Sequence, residues 1–300
     1  MAPRADAYRE LTELVDKHAR SDGENTTAID DLFLSRTSSP TQPIHVVQWP
    51  CFALVAQGAK SVAVGAEVVE YGVGDFLVVA LDLPVVSRVV QATPARPNLG
   101  IGLAIDRDRL ANVLRRVEPG NLPPAPGTSL CVEVSRASSD LLDATLRLLR
   151  LLDRPRDIAV LAPLVEEEIL YRLLVGPAGA ALLNVACAGS SRDHVVSAAR
   201  WIREHLATDL SIPALAASVG MSVSSLHHHF KTATGLSPLQ YQKQLRLNEA
   251  RRLLLTERLD VASAGHRVGY RSAAQFSREY ARMYGISPRR DVERTSDRSR

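Results

Sequence analysis

The fold of the C-terminal third is decided by residues 211–238, SIPALAASVGMSVSSLHHHFKTATGLSP, and by their near copy at residues 260–288, DVASAGHRVGYRSAAQFSREYARMYGISP. A Val-Gly pair recurs after 49 residues and a Gly-x-Ser-Pro stretch after 50. A solenoid needs at least three repeats to bury a continuous core, so two copies indicate a pair of small binding modules.

The first copy has the pattern of a helix, a turn and a second helix. Ser211 is a predicted N-cap, Gly220 breaks the first helix, and Ser222 caps the second. Leu226 and Phe230 are four residues apart and therefore share the inward face. The outward faces of the second helix carry hydrogen-bonding side chains and few acids: Ser224, Ser225, His227, His228 and Lys231.

The second copy repeats this design with different outward residues. Gly269 breaks the first helix, Ser272 caps the second, and Phe276 and Tyr280 face inward. Arginine and glutamine are the side chains whose forked geometry matches guanine and adenine edges in the major groove. The outward positions here are Arg271, Ala274, Gln275 and Arg278.

Residues 238–256 predict a continuous helix between the two copies, because Ser-Pro opens it and no glycine interrupts its leucine pattern. A helix of roughly 18 residues spans about 27 Å. That length suits two recognition helices placed about one DNA turn apart, at ~34 Å.

Charge is divided unevenly along the chain. Residues 192–300 hold 18 basic and 10 acidic side chains, whereas residues 1–191 hold 18 basic and 23 acidic ones. The net charge of +8 at the C-terminal end, against −5 before it, is typical of a phosphate-binding domain. A single helix-turn-helix pattern is weak evidence, since many αα-hairpins never meet DNA. Two copies with a basic surplus favour DNA binding.

The segment 193–290 resembles the DNA-binding domain of AraC/XylS-type transcriptional regulators, through MSVSSLHHHFKTATGLSPLQYQKQLRLNEARRLL and VGYRSAAQFSREYARMYGISP. The resemblance implies recognition helices at residues 222–232 and 272–283. It also implies six base-reading positions, namely Ser224, His227, His228, Ala274, Gln275 and Arg278. One departure is Gly265, where the family usually has alanine, at an expected cost of up to about 1 kcal/mol in helix propensity.

Residues 40–105 change to short valine-rich runs separated by glycine and proline turns, which predicts a small antiparallel barrel or sandwich. Helical periodicity returns at residues 106–118, 138–152 and 158–175. The predicted fold class is therefore α+β, with an N-terminal barrel and helices and a C-terminal all-α domain containing two helix-turn-helix motifs.

We predict three segments. Residues 1–39 form an N-terminal helix and lead-in, 40–190 the barrel domain with a helical part from about 106, and 191–300 the DNA-binding domain. The motifs within the last are placed at about 211–232 and 260–283.

The N-terminal half is similar to the cupin-like domain of a subset of AraC-type regulators, through PCFALVAQGAKSV, EYGVGDFLVVALDLPV and RPRDIAVLAPLVEEEILYRLLVGPAGAALL. This resemblance implies that the domain senses a small molecule and often dimerises. The sequence alone indicates only that a barrel of this size can enclose a small molecule.

Metal-dependent cupins need several histidines, and the barrel region has only His45, so no metal, cofactor or catalytic residue is predicted. An enzyme with a DNA-binding appendage, such as a repair methyl-acceptor, requires a zinc-clustered or histidine-paired cysteine. Cys51, Cys131 and Cys187 do not supply one. A second alternative, an architectural DNA binder without a ligand, stays open.

Two residues are candidates for effector binding. Cys51 begins a strand and can line the barrel, although a small buried hydrophobe is the usual role of such a cysteine. Arg88, with valines nearby, can be an inward anion anchor or a solvated residue of the outer face.

The predicted function is that of a sequence-specific transcriptional regulator, such as an activator, rather than an enzyme. Its expected partners are double-stranded DNA, contacted in two adjacent major grooves, and a small-molecule effector. RNA polymerase and a second copy of the chain are further candidates. No apolar run reaches membrane-spanning length and the N-terminus lacks a signal-peptide pattern, so we expect no membrane contact and a cytoplasmic, nucleoid-associated protein.

Overall fold

The computed structural model describes residues 5–123, 131–186 and 191–298, without the side chains of 5, 184–186, 191–193 and 296–298. The described residues divide into two compact units, one within 5–44 and 48–193 and the other within 45–47 and 194–298. Within the described residues, no helix is both long and apolar enough to cross a membrane. Cys187 lies outside the described residues.

The first unit contains two antiparallel sheets. The larger has six strands in the order β1-β2-β9-β4-β7-β10. Their bounds are β1 Gly23–Thr26, β2 Leu32–Thr37, β4 Cys51–Gln57, β7 Asp75–Val79, β9 Asn98–Ala104 and β10 Val132–Arg136. The smaller has the order β3-β8-β5-β6, with β3 Ile44–Gln48, β5 Ala59–Val64, β6 Glu67–Gly72 and β8 Leu83–Gln91.

Side chains alternate across the larger sheet, as the period of two requires. One set, which includes Phe52, Leu54, Phe76 and Val78, packs into the same hydrophobic core as the helices of the unit. The other set, which includes Cys51 and Leu77, lines a cavity shared with residues of the smaller sheet. The predicted barrel is thus built from two sheets that face each other across this cavity.

In the described part of the first unit there are five helices: α1 Ala5–His18, α2 Arg107–Leu114, α3 Ser139–Arg150, α4 Pro155–Leu174 and α5 Gly179–Ala186. Short 3₁₀ turns occupy Pro119–Asn121 and Leu151–Asp153. The predicted helical stretches at 106–118, 138–152 and 158–175 correspond to α2, α3 and α4.

The interpretation of residues 1–39 as a lead-in was wrong. Strands β1 and β2 belong to the larger sheet, where Leu32 lies opposite Leu103 of β9. Leu11 and Val15 of α1 are fully buried in the core. Because β1 is only four polar residues, GENT, its sequence carried no strand pattern, and pairing with β2 gives it its conformation.

The second unit consists of seven helices within the described residues. They are α6 Ser191–Glu204, α7 Ile212–Ser218, α8 Val223–Thr234, α9 Pro238–Leu255, α10 Val261–Arg267, α11 Ala273–Tyr284 and α12 Pro288–Arg298. Gly235 and Gly285 end α8 and α11 in the left-handed conformation, with φ of 72° and 71°. The same cap at the same place in both copies explains why Gly-x-Ser-Pro recurs.

Candidate DNA-binding surface

The helix α8 is fixed at its N-terminus and along one face. Ser222 is its N-cap, and the hydroxyl oxygen accepts a hydrogen bond from the Ser225 N–H at 3.1 Å. Leu226 and Phe230 are fully buried beneath it. Ser222 therefore positions the helix, and its hydroxyl proton remains available to a phosphate oxygen.

The opposite face of α8 carries the predicted reading residues. Ser224, His228 and Lys231 are exposed, whereas Ser225 and His227 are half-buried. The rings of His228 and His229 meet edge to face, with centroids 5.2 Å apart. The outer face thus offers hydroxyl, imidazole and ammonium groups within three turns, and His228 lies at its centre.

The helix α11 reproduces this arrangement. Ser272 accepts a hydrogen bond from the Gln275 N–H at 3.3 Å, while Phe276 and Tyr280 are fully buried. The outward set is exposed as predicted, and it comprises Arg271, Ala274, Gln275 and Arg278. The structural equivalent of His228 is Arg278, six residues after its capping serine in each copy.

Two of the predicted outward residues in the second copy are held by carboxylates of the same unit. Arg271 forms an ion pair with Asp209. The side-chain amide of Gln275 donates to Glu279 at 3.4 Å. In the described part of the chain, Arg278 has no such partner. Arg278 can approach DNA directly, whereas Arg271 and Gln275 must first exchange an acidic partner.

Glu279 was missed by the sequence analysis, although its spacing of four from Gln275 was a usable signal. It also accepts a hydrogen bond from the Tyr270 hydroxyl at 2.9 Å and lies 3.3 Å from the Lys243 ammonium. Burial opposes its ionisation, but the hydrogen bonds from Tyr270 and Gln275 outweigh that effect and lower the pKa of Glu279. The group is therefore an anion that organises the edge of the second recognition helix.

The spacer helix α9 is closely tied to its neighbours. Ser237 and Gln240 form a reciprocal capping box at its start. The side chains of Gln242 and Arg246 donate to the carbonyl oxygens of Leu206 and Thr208, which follow α6, at 2.7 to 3.3 Å. These bonds satisfy carbonyls beyond the end of α6 and fasten it to the spacer.

Gly265 has a packing role that contradicts its interpretation as a helix-weakening departure. A Cβ added at this position would lie 3.0 to 3.4 Å from three carbon atoms of Phe276. Since Phe276 is fully buried, the glycine allows α10 to approach α11 closely. The absence of a side chain is thus matched to the bulk of Phe276.

The two effector candidates of the first unit differ in position. Cys51 is buried and lines the cavity between the sheets, where the Gln48 amide nitrogen lies 3.2 Å from its sulfur. Burial raises the pKa of the Cys51 thiol to about 12, so it stays protonated at neutral pH and is a poor nucleophile. Arg88 is exposed and donates to the Thr41 carbonyl at 3.2 Å. The inward role considered for Arg88 was wrong, because its neighbour Ser87 takes the cavity-facing position.

Comparison with protein families gives two matches. Residues 28–181 match the family described as AraC-type transcriptional regulator N-terminus, and residues 215–294 match a helix-turn-helix domain family. The first match alone covers more than half of the chain.

Among curated proteins, the chain is similar to the HTH-type transcriptional activator RhaS of Salmonella schwarzengrund and to that of Salmonella typhimurium. Each is 29% identical over 163 residues, which cover 54% of this chain and 58% of the relative. The match therefore spans less than two thirds of those relatives.

Among solved structures, an apo lysine-to-alanine variant of ToxT from Vibrio cholerae has a TM-score of 0.58 at 7% identity, covering 90% of this chain and 98% of ToxT. Wild-type ToxT with a bound unsaturated fatty acid has a TM-score of 0.56 at 9% identity, covering 87% and 93%. At such identities the likeness shows the fold, and it confirms the predicted α+β class. Together with the family matches, these findings confirm the predicted resemblance, and the chain belongs to the AraC-type transcriptional regulators.

Proposed function

We propose that this chain is a sequence-specific transcriptional regulator, not an enzyme, whose second unit reads two adjacent major grooves of double-stranded DNA. One observation carries the proposal. Two helices of the same design, α8 and α11, are each anchored by large buried side chains four residues apart and capped by serine, and each presents an exposed polar face. The duplicated helix-turn-helix therefore provides two similar DNA-contacting surfaces.

The N-terminal ends of both helices suit contact with phosphate. Neither helix has an acidic residue in its first turn, so the positive end of each helix dipole is uncompensated. Ser222, Ser272 and Lys231 provide further donors near the same faces. These contacts fix the position of the protein on DNA, whereas His228 and Arg278 specify the bases.

The two recognition helices offer different groups for contact with bases. Ser224, Ser225, His227 and His228 give the first helix several hydrogen-bonding groups. The second combines Gln275 and Arg278 with Ala274, whose methyl group suits a thymine methyl.

We assign the first unit the role of a small-molecule sensor. The name of RhaS describes an activator, and one ToxT structure contains an unsaturated fatty acid. In this chain the supporting feature is the cavity between the two sheets. An activator that acts on chromosomal DNA works in the cytoplasm within the nucleoid and contacts RNA polymerase, and we extend both expectations to this chain.

We also propose that the regulator forms a homodimer through α4. Val160, Leu161 and Leu164 lie within about one turn of this helix and are 68%, 41% and 61% exposed. In sedimentation equilibrium, Leu164→Lys should shift the protein to monomer. The matched control Val68→Lys alters an exposed valine of β6, and it should leave the dimer intact. An equal mass for wild type and Leu164→Lys would remove the proposed interface.

The reading function is tested on an operator obtained by oligonucleotide selection with the full chain. His228→Ala or Arg278→Ala should each weaken binding to that operator by roughly 1 to 3 kcal/mol, with little change on random DNA. Arg290→Ala, at an exposed arginine of α12, is the control and should have a small effect. Equal losses on both DNAs would show that His228 and Arg278 contact phosphate alone.

A further inference from the structure

The space between the two sheets is a cavity of about 110 Å³. It exists because the inward positions of the larger sheet are small: Ser35, Cys51, Ala53, Gly100 and Gly102. Larger apolar side chains also line this space, Leu77 from the larger sheet and Val62 and Val85 from the smaller one. The cavity is therefore lined by apolar and polar groups in similar measure.

Lys60 is the basic residue among those that line the cavity. The residue as a whole is partly exposed, but its ammonium group lies deep in the unit. In strand register it lies directly opposite Tyr71 of β6, which also lines the cavity. Among the described residues, Lys60 has neither an ion pair within 4 Å nor a hydrogen bond from its ammonium group.

An ammonium group removed from water without an anion is costly. Burial accordingly lowers the pKa of Lys60, while the nearby Glu24 and Cys51 act in the opposite direction. Burial raises the pKa values of Cys51 and Tyr71, so both stay neutral at neutral pH. Glu24 is exposed, lines the cavity and acts on Lys60 through its charge, without an ion pair within 4 Å. Among the described residues, the site therefore holds one buried amino group without an ion pair, and an entering anion would stabilise its charged form.

We propose that this cavity binds a short-chain carboxylate, whose carboxylate group pairs with Lys60 and whose apolar end lies against Val62, Leu77 and Val85. The assignment rests on the proposed function in one respect, namely that the cavity is the effector site. A single cation matches a monoanion, and the Tyr71 hydroxyl can donate a hydrogen bond to the second carboxylate oxygen.

The volume of the cavity limits the size of the ligand. A cavity of about 150 Å³ accommodates benzene, which has six non-hydrogen atoms. By that scale, 110 Å³ accommodates a molecule of about four to six non-hydrogen atoms, such as propionate or butyrate. A long-chain fatty acid does not fit within these walls.

The test measures binding to the full chain by isothermal titration calorimetry and by thermal unfolding. Propionate and butyrate are the probes, and propionamide, inorganic phosphate and oleate are the comparisons. Propionate and butyrate should bind and raise the unfolding temperature, because a ligand bound only by the folded state stabilises it. The three comparison molecules should not.

Lys60→Met keeps most of the length of the side chain and removes the charge. It should weaken propionate binding about tenfold or more, as expected when a charged hydrogen bond is lost. Lys17→Met, at an exposed lysine of the same unit, should bind like wild type. Glu24→Gln should bind propionate more tightly, because it removes the competing anion. The Glu24→Gln variant keeps the test decisive if Lys60→Met fails to fold.

Equal binding of propionamide or phosphate, or propionate binding retained by Lys60→Met, would overturn the proposal. So would propionate affinity unchanged in Glu24→Gln. Binding to the selected operator, measured on the same preparations, distinguishes a failure of the ligand assignment from a failure of the proposed function. If the chain binds its operator selectively but no carboxylate, the ligand class is wrong and the proposed function stands. If it shows no selectivity for any DNA, the proposed function fails whatever the cavity binds.

Discussion

Replacement of Asp291 by asparagine tests how the second helix-turn-helix is held together. Its Oδ2 accepts hydrogen bonds from Arg251 Nε at 2.8 Å and from the Tyr280 hydroxyl at 2.7 Å. Asp291 thereby fastens α12 to α9 and α11. Burial of Arg251 acts to lower its pKa, but the hydrogen bond to Asp291 outweighs that effect and raises it. The Asp291 carboxylate therefore offsets the cost of partly burying the Arg251 guanidinium.

The expected loss of unfolding free energy follows from how far Asp291 and Arg251 are buried. Removing one member of a fully buried ion pair costs about 3 to 5 kcal/mol. Arg251 keeps 28% side-chain exposure and lies 4.8 Å above the ring of Tyr284, so part of its charge remains stabilised. We expect Asp291→Asn to lower the free energy of unfolding by about 2 kcal/mol. Asp291→Ala also removes the acceptor of Tyr280, and should cost about 3 kcal/mol.

The assay is urea unfolding followed by the fluorescence of Trp201, in a Trp49→Phe background, since the chain has tryptophan at these two positions only. The matched control is Glu293→Gln on the same helix. Glu293 is 58% exposed and pairs with the exposed Arg289, so its loss should cost less than about 0.5 kcal/mol. Equal free energies of unfolding for Asp291→Asn and Glu293→Gln would refute the reasoning.

Three further predictions concern the same unit. Gly265→Ala should destabilise it by about 1 kcal/mol in urea unfolding, because crowding of Phe276 exceeds the gain in helix propensity, and a stabilised protein would contradict this. Asp209→Asn should raise DNA affinity up to about fivefold in fluorescence anisotropy titrations and steepen the salt dependence, because Arg271 becomes free for phosphate. An unchanged salt slope would show that Arg271 does not reach DNA. Ser237→Ala should cost about 1 kcal/mol by removing the cap of α9, whereas unchanged stability would show that the capping box contributes little.

The C-terminal unit was largely predictable because its signals are local. Serine caps and left-handed glycines lie within a few residues of the helix ends that they define. The predicted spacer at residues 238–256 is therefore within one residue of α9, and the motifs predicted at 211–232 and 260–283 contain α7, most of α8, α10 and most of α11. The family resemblance added the reading positions, and the structure exposes each of them at least partly.

The features that escaped prediction depend on contacts between distant residues. Nothing near Asp291 in sequence indicates that it meets Arg251, 40 residues earlier. Lys60 belongs to a strand with an ordinary alternating pattern, and only the pairing of β5 with β6 shows that Tyr71 lies opposite to it. Gly265 illustrates the converse error, since helix propensity describes the isolated helix and not the ring packed against it.

The central claim is that two helices of one unit read two separate segments of DNA. Hydroxyl-radical footprinting on the selected operator, combined with base-preference profiles of His228→Ala and Arg278→Ala, tests it most directly. We predict two protected segments on one face of the duplex, centred roughly 10 base pairs apart, with each variant relaxing the sequence of a different segment. A single protected segment, or relaxation of the same bases by both variants, would contradict the account.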